Sequence, residues 1–125
     1  AIICIDKEAV GLWAELRGIS YISYADLSQK PQVIALIAAA VKHVNSALPH
    51  GLQLRKFVCL HKEFDADDGE ITRTRKIRRN VVEERYKPII DAIYGHQNTV
   101  LMKAKVSYES GEVGVIERTL SVQEA

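Results

Sequence analysis

Leu52-Gln53-Leu54-Arg55-Lys56-Phe57-Val58-Cys59-Leu60-His61 closes on a run of apolar residues and reads as a buried strand over 52–61. On its N-terminal side, Ser28 to Pro31 opens a long helix with Pro31 near the first position. Val33, Ile34, Ile37, Val41, Val44 and Leu48 form that helix's apolar stripe, and Pro49 and Gly51 stop it. On its C-terminal side lies an acidic loop from about Glu63 to Thr74, holding Asp65, Asp67, Asp68 and Gly69. A helix is expected from about Arg75 to Lys87, kinked or restarted by Pro88, continuing to Tyr94 and stopped by Gly95.

Further out, residues 1–5 are short, apolar and β-branched, as in a buried strand. Asp6 is a good N-cap for a helix over about 7–17, with Ala9, Leu12, Trp13 and Leu16 as its stripe and Gly18 at its end. Ser23 with Asp26 marks a short capped turn. In the tail, Val100, Met102, Ala104, Val106 and Tyr108 alternate as a strand. Glu109-Ser110-Gly111 makes a turn, and Val113 to Val122 returns as the second arm of an antiparallel hairpin. The order is β-α-α-β-loop-α-β-β. It predicts an α+β fold: a small mixed sheet flanked by helices, which cover one face, with a C-terminal β-hairpin.

The 125 residues and 14.0 kDa suit one domain, and 47% apolar content permits a core. A formal net charge of +1 gives no global field toward nucleic acid or an anionic membrane. Cys4 and Cys59 lie in apolar runs without metal-like spacing, so they read as reduced core residues of a cytosolic protein. No apolar run reaches the ~18 residues of a membrane span, and no signal peptide is visible. Ala1 is not an initiator Met, and Ile2 to Ile5 reads as a strand already in progress, so a fragment of a longer chain is expected.

The most distinctive chemistry lies in Gly69-Glu70-Ile71-Thr72-Arg73-Thr74-Arg75-Lys76-Ile77-Arg78-Arg79, where five of the seven residues from 73 to 79 are basic. With Thr72 and Thr74 as caps, these cations would cluster at a helix N-terminus, where the dipole disfavours them by a few tenths of a kcal/mol each. Such a conflict suits a phosphate or carboxylate ligand. The plainer reading is a solvated basic face, with Arg79 and Glu83 paired at i,i+4. Calcium fails on spacing, because a calcium loop begun at Asp65 puts Lys76 where a bidentate Glu belongs. His43, His50, His61 and His96 are scattered without metal spacing and read as surface or structural.

That segment resembles the Gly-Glu-Leu-Thr-Pro-Thr-Leu-Lys-Leu-Arg-Arg run of long-chain fatty-acid–CoA ligases, members of the AMP-forming adenylate-forming superfamily. Ile5-Asp6-Lys7-Glu8, Trp13-Ala14-Glu15 with Gly18, Tyr24-Ala25-Asp26-Leu27, the helix from Pro31 to Val44-Asn45, Phe57 to Phe64, Tyr86 and Ile90 to Tyr94 are similar to the flanking elements of that family. The resemblance covers about residues 1–95 and leaves 96–125 as an extra hairpin without a functional reading. It implies a partial C-terminal cap domain over 1–125, lacking the large N-terminal domain that holds ATP and the acyl chain. The family's glycine-rich hinge is expected upstream of Ala1.

By that resemblance, ATP and a fatty acid give acyl-adenylate, and CoA then displaces AMP; ATP, CoA and Mg2+ are bound mainly by the N-terminal domain. Lys76 takes the catalytic position, bridging carboxylate and phosphate as a point charge rather than a base. Arg73 and Arg75 stand where the family has Pro and Leu, and are weaker candidates for phosphate contacts. The implied partners are the chain's own N-terminal domain and the fatty acid, with no nucleic acid. The implied location is cytoplasmic, with peripheral association at the inner face of a membrane. The cap alone is expected to be inactive. Two other readings stay open: another adenylate-forming ligase for acyl or aryl acids, and a small module whose basic segment binds nucleic acid or anionic lipid.

Overall fold

The sheet is organised by β2 (Lys56–Cys59), which pairs in parallel with β1 (Ile2–Ile3) and antiparallel with β4 (Val113–Glu124). β4 also pairs antiparallel with β3 (Thr99–Ser107), giving the order β1-β2-β4-β3. The computed structural model describes residues 1–107 and 113–125. The turn expected at Glu109-Ser110-Gly111, with Tyr108, lies outside the described residues.

The mixed sheet and the antiparallel hairpin match the sequence-based expectation. The hairpin is not an appendage, because β4 sits inside the sheet between β2 and β3. The strand expected over 52–61 is shorter: His50–Leu52 is a 3-10 turn, and only Lys56–Cys59 enters the ladder. The Asn45 side chain substitutes for a strand neighbour just before it. Its Oδ1 accepts the Leu54 amide and its Nδ2 donates to the Leu54 carbonyl, both at 2.8 Å. That pins the end of the long helix to the chain entering β2.

Helices pack on both faces of the sheet, not on one. The long helix α3 (Pro31–Ser46) lays Val41, with Ile37 and Ala38, over Phe57 and Cys59. On the other face, α4 (Arg79–Arg85) and α5 (Lys87–Tyr94) cover Val58, Leu60 and Leu120 with Val82, Tyr86, Ile89 and Ala92. Leu60, Ile89 and Leu120 are fully buried, each contributing roughly 1.5–3 kcal/mol. The alternation of β2 makes both packings possible, since successive side chains point to opposite faces. It also separates the two cysteines. Cys59 lies with Ile3 and Phe57 on one face, and Cys4 with Ile2 and Val58 on the other. Burial pushes both free thiols up to about 11, which makes them inert at neutral pH.

A third apolar cluster joins α1 (Lys7–Leu16), α2 (Tyr24–Ser28) and the start of α3 through Ile5, Val10, Ala14, Leu27 and Val33. Asp6 caps α1 as expected, its Oδ1 accepting the amides of Glu8 and Ala9. The stripe has the right period but the wrong phase: Leu12 and Leu16 are 58% and 76% exposed. Val10, Gly11 and Ala14 face inward instead. Small residues permit close approach there, and a Cβ on Gly11 would sit 2.7 Å from the Tyr21 hydroxyl. α2 is tied to the sheet by Gln29, whose Nε2 donates to Cys59 O at 2.8 Å while its Oε1 accepts the Ser121 amide at 3.3 Å. Tyr24 donates to Ile5 O at 2.8 Å.

Candidate functional site

The helix expected from Arg75 begins only at Arg79, which has no side-chain cap at Arg78. Residues 71–77 instead fold back as a miniature hairpin, closed by an antiparallel bridge between Ile71 and Ile77. The Thr72 amide donates to Lys76 O at 2.8 Å and the Arg75 amide to Thr72 O at 2.9 Å. The Lys76 amide donates to Thr72 Oγ1 at 3.1 Å. Arg75 adopts φ 64. This is the three-residue loop in which a tight turn is followed by one left-handed residue, a position that glycine ordinarily fills. The left-handed backbone at Arg75 is what excludes a helix here. The basic residues therefore sit on a turn, not at a helix N-terminus, and the dipole argument does not apply to them.

An arginine in the left-handed region costs about 1–2 kcal/mol. Arg75→Gly should therefore raise stability by about 1 kcal/mol, after the glycine's larger unfolded-state entropy is offset. Chemical denaturation of both proteins checks this; a destabilised variant would mean that the guanidinium makes compensating contacts.

The hairpin stands on a buried carboxylate. The Glu70 side chain is wholly buried, with Lys62 Nζ 2.6 Å from Oε1 and the Asp65 amide donating to Oε1 at 3.1 Å. Tyr86 donates its hydroxyl to Oε2, and Arg85 Nη1 lies 3.5 Å from the same oxygen. Arg85 also donates to Asp68 O at 2.7 Å, and Lys62 pairs with Asp68. The backbone around Glu70 is equally fixed: its carbonyl accepts the Arg78 amide at 2.9 Å, and Gly69 takes φ 75. Burial alone would raise the Glu70 carboxyl, but the Lys62 ammonium, the Tyr86 hydroxyl and the Asp65 amide hold it below the usual carboxylate range. Burial likewise opposes charge on Lys62, and its two carboxylates more than compensate, so its pKa is raised.

The acidic loop thus pairs with Lys62 and Arg85, not with the basic run at 73–79. Among the described residues, the expected Arg79–Glu83 pair does not form, and Lys76 makes no ion pair. Lys76, Arg73 and Arg75 are all exposed. The hairpin presents them on different sides. Arg73 and Arg75, with Ile71 and Thr72, line an open cleft of ≈ 620 Å³ against Lys7 and Tyr24, and Lys76 does not line it. His61 is buried at that cleft, and its Nδ1 has no hydrogen-bond partner among the described residues. Burial and the Lys62 charge push its pKa down. Among the described residues, no group of three or more His, Cys, Asp or Glu side chains could hold a metal ion.

Sequence reasoning singled out Lys76, Arg73 and Arg75 as candidates but missed the carboxylate beneath them. Glu70 reads as one more member of an acidic loop. Its only sequence signal is an acid next to a glycine, amid residues that alternate toward the bridge at Ile71.

An α+β domain that presents a free lysine on a braced turn is a class shared by many proteins, and relatives narrow it. The chain is homologous to long-chain fatty-acid–CoA ligases. It is 41% identical over 98 residues to the long-chain-fatty-acid–CoA ligase FadD15 of Mycobacterium tuberculosis, an alignment covering 78% of this chain and 16% of that protein. To the long-chain-fatty-acid–CoA ligase ACSBG2 of Gallus gallus it is 40% identical over 73 residues, 58% of this chain and 10% of that protein. To the long-chain-fatty-acid–CoA ligase heimdall of Drosophila melanogaster it is 31% identical over 70 residues, 55% and 10% respectively. The chain spans less than a fifth of the length of these curated relatives. No family model matches it, and no solved structure does.

Proposed function

We propose that this chain is the mobile C-terminal cap of an AMP-forming long-chain fatty-acid–CoA ligase, and that Lys76 is the residue it delivers to the adenylation reaction. One observation carries the reading: the Lys76 ammonium is exposed and without an ion pair among the described residues, on a turn whose base is locked by Glu70. An exposed lysine with no internal partner is available to a docked one, and the braced turn holds it in place.

In adenylation, a fatty-acid carboxylate attacks the α-phosphorus of ATP and pyrophosphate leaves, so two anions are forced together. A compact ammonium between them offsets their repulsion and stabilises charge developing on the phosphate oxygens. Lys76 stays protonated and neither gives nor takes a proton. CoA then attacks the acyl-adenylate carbonyl and AMP leaves, a step for which the cap would turn Lys76 away. The ATP and acyl sites, and the Mg2+ that accompanies ATP, belong in this reading to a large N-terminal domain. The described residues offer no cluster that fits a metal, so no step here passes through one.

No helix of the described residues is long and apolar enough to cross a membrane. We place the whole enzyme in the cytoplasm, associated peripherally with the inner face of a membrane where its acyl substrate partitions. The test is to separate the half-reactions in the full-length protein. Lys76→Ala should cut fatty-acid-dependent ATP–pyrophosphate exchange by about 10²–10³-fold and leave CoA transfer from supplied acyl-adenylate intact. Equal loss of both, or of neither, rejects the assignment. The 125-residue chain alone should turn over no ATP, and turnover by it would overturn the reading of the chain as a cap.

A further inference from the structure

We propose that Thr72 is the positioning residue for Lys76, its hydroxyl fixing the backbone from which the ammonium is carried. The proposal rests on the reading of Lys76 as the adenylation residue. Lys76 is exposed and makes no ion pair among the described residues, so its backbone sets the origin and direction of its side chain. Both polar groups of that backbone go to Thr72. The Thr72 amide donates to Lys76 O at 2.8 Å. The Lys76 amide donates to Thr72 Oγ1 at 3.1 Å. In a regular antiparallel pair the second bond would end on the Thr72 carbonyl. Here that carbonyl takes the Arg75 amide at 2.9 Å, across the left-handed turn. The three-residue loop therefore leaves the Lys76 amide without its ladder partner, and the Thr72 hydroxyl fills the gap.

The surroundings suit the hydroxyl to that task. Thr74 Oγ1 lies 3.1 Å from Thr72 Oγ1. When Thr72 donates to Thr74, its own lone pairs stay free to accept the Lys76 amide. Immediately before Thr72, Ile71 bridges Ile77, and Glu70 O accepts the Arg78 amide at 2.9 Å. Thr72 is thus the last tie between the anchored base of the hairpin and the lysine near its tip. The residue is exposed, so water can satisfy the Lys76 amide if the hydroxyl is removed. Its loss then bears on geometry more than on stability. Adenylation is sensitive to geometry, since a misplacement of about 1 Å can cost about 10²-fold in rate.

The test is a double-variant cycle in the full-length protein, read as fatty-acid-dependent ATP–pyrophosphate exchange. CoA transfer from supplied acyl-adenylate controls for folding. Thr72→Val keeps the β-branched shape and the backbone bonds and removes only the hydroxyl. It should slow exchange by roughly tenfold or more and leave CoA transfer unchanged. Thr72→Ser restores the hydroxyl and should recover most of the loss. In a Lys76→Ala background, Thr72→Val should change exchange by less than about twofold, because a residue that acts only through Lys76 then has nothing to position. Thr72 also lines the open cleft. A direct contact with substrate would show its full loss in that background and overturn the proposal. Exchange at the parent rate in Thr72→Val, no recovery in Thr72→Ser, or CoA transfer slowed as much as exchange would overturn it too. Lys76→Ala alone separates the two readings. If it leaves exchange intact, the assignment of Lys76 fails and this proposal with it. If it slows exchange while Thr72→Val does not, only the positioning role fails.

Discussion

Glu70→Ala is expected to cost about 3 kcal/mol, near the lower end of the range for breaking a buried ion pair, and to lower the melting temperature by roughly 10 °C. The reason is what the substitution strands. The buried Tyr86 hydroxyl and the Asp65 amide lose their acceptor. Lys62 and Arg85 lose a counter-charge, but their side chains are 29% and 42% exposed and can recover hydration, which keeps the figure from the top of the range. Tyr86→Phe removes one of these bonds and should cost about 1 kcal/mol. Thermal melts of both variants check the order. A Glu70→Ala protein as stable as the parent would show that the 71–77 hairpin is held by its own backbone bonds alone.

The same carboxylate sets an acid limit. Because the folded pKa of Glu70 lies below its unfolded value, its contribution is complete above about pH 4.3 and is lost as pH falls through the folded pKa. His61 acts earlier. Its folded pKa is also depressed, so the unfolded chain binds the extra proton, and stability should decline below about pH 6.5. Denaturation midpoints measured from pH 7 downward should therefore fall in two stages, and His61→Asn should remove the first. A profile flat from pH 7 to pH 5 would mean that His61 titrates normally.

What the sequence made legible follows from which signals are local. The helix at Pro31, the cap at Asp6 and the break at Pro88 each depend on one or two residues and their neighbours, and all three stand. The alternation at Val100 and Met102 set the hairpin's inward face, and both are buried against α5. The failures share a cause. The phase of α1 was set by Gly11 and Ala14, small residues whose value is the approach they allow, which no count of large apolar residues registers. The helix start was displaced to Arg79 by a backbone bridge between Ile71 and Ile77, together with a left-handed arginine where composition suggests only a basic helix. Glu70 was invisible as a brace because its partners Lys62, Arg85 and Tyr86 come together only when β2 and α4 are in place. Lys76 differs: its proposed role rests on resemblance to a motif rather than on contacts it makes.

Lys76→Ala in the full-length protein should slow adenylation by about 10²–10³-fold, the loss typical of removing one preorganised charge-stabilising donor, or about 2.7–4 kcal/mol of transition-state stabilisation. The fold should not register it: the side chain is exposed and without an ion pair among the described residues, so stability should stay within about 0.5 kcal/mol. That combination separates Lys76 from Glu70, whose loss should act first on stability and only then on rate. Lys76→Arg sharpens the point. It keeps the charge but replaces a compact ammonium by a wide planar fork, so it should recover part of the rate and not all of it. Full recovery would make Lys76 a generic cation, and no recovery would mean that placement within the closed site outweighs charge. Thioester formation from supplied acyl-adenylate should be the same in all three proteins, because in the proposed mechanism that half-reaction would use the cap turned the other way. If instead Lys76→Ala slowed both half-reactions alike, the exposed lysine would be an anchor for docking, and the nucleophile's approach to the α-phosphorus would have to be managed by residues outside this chain.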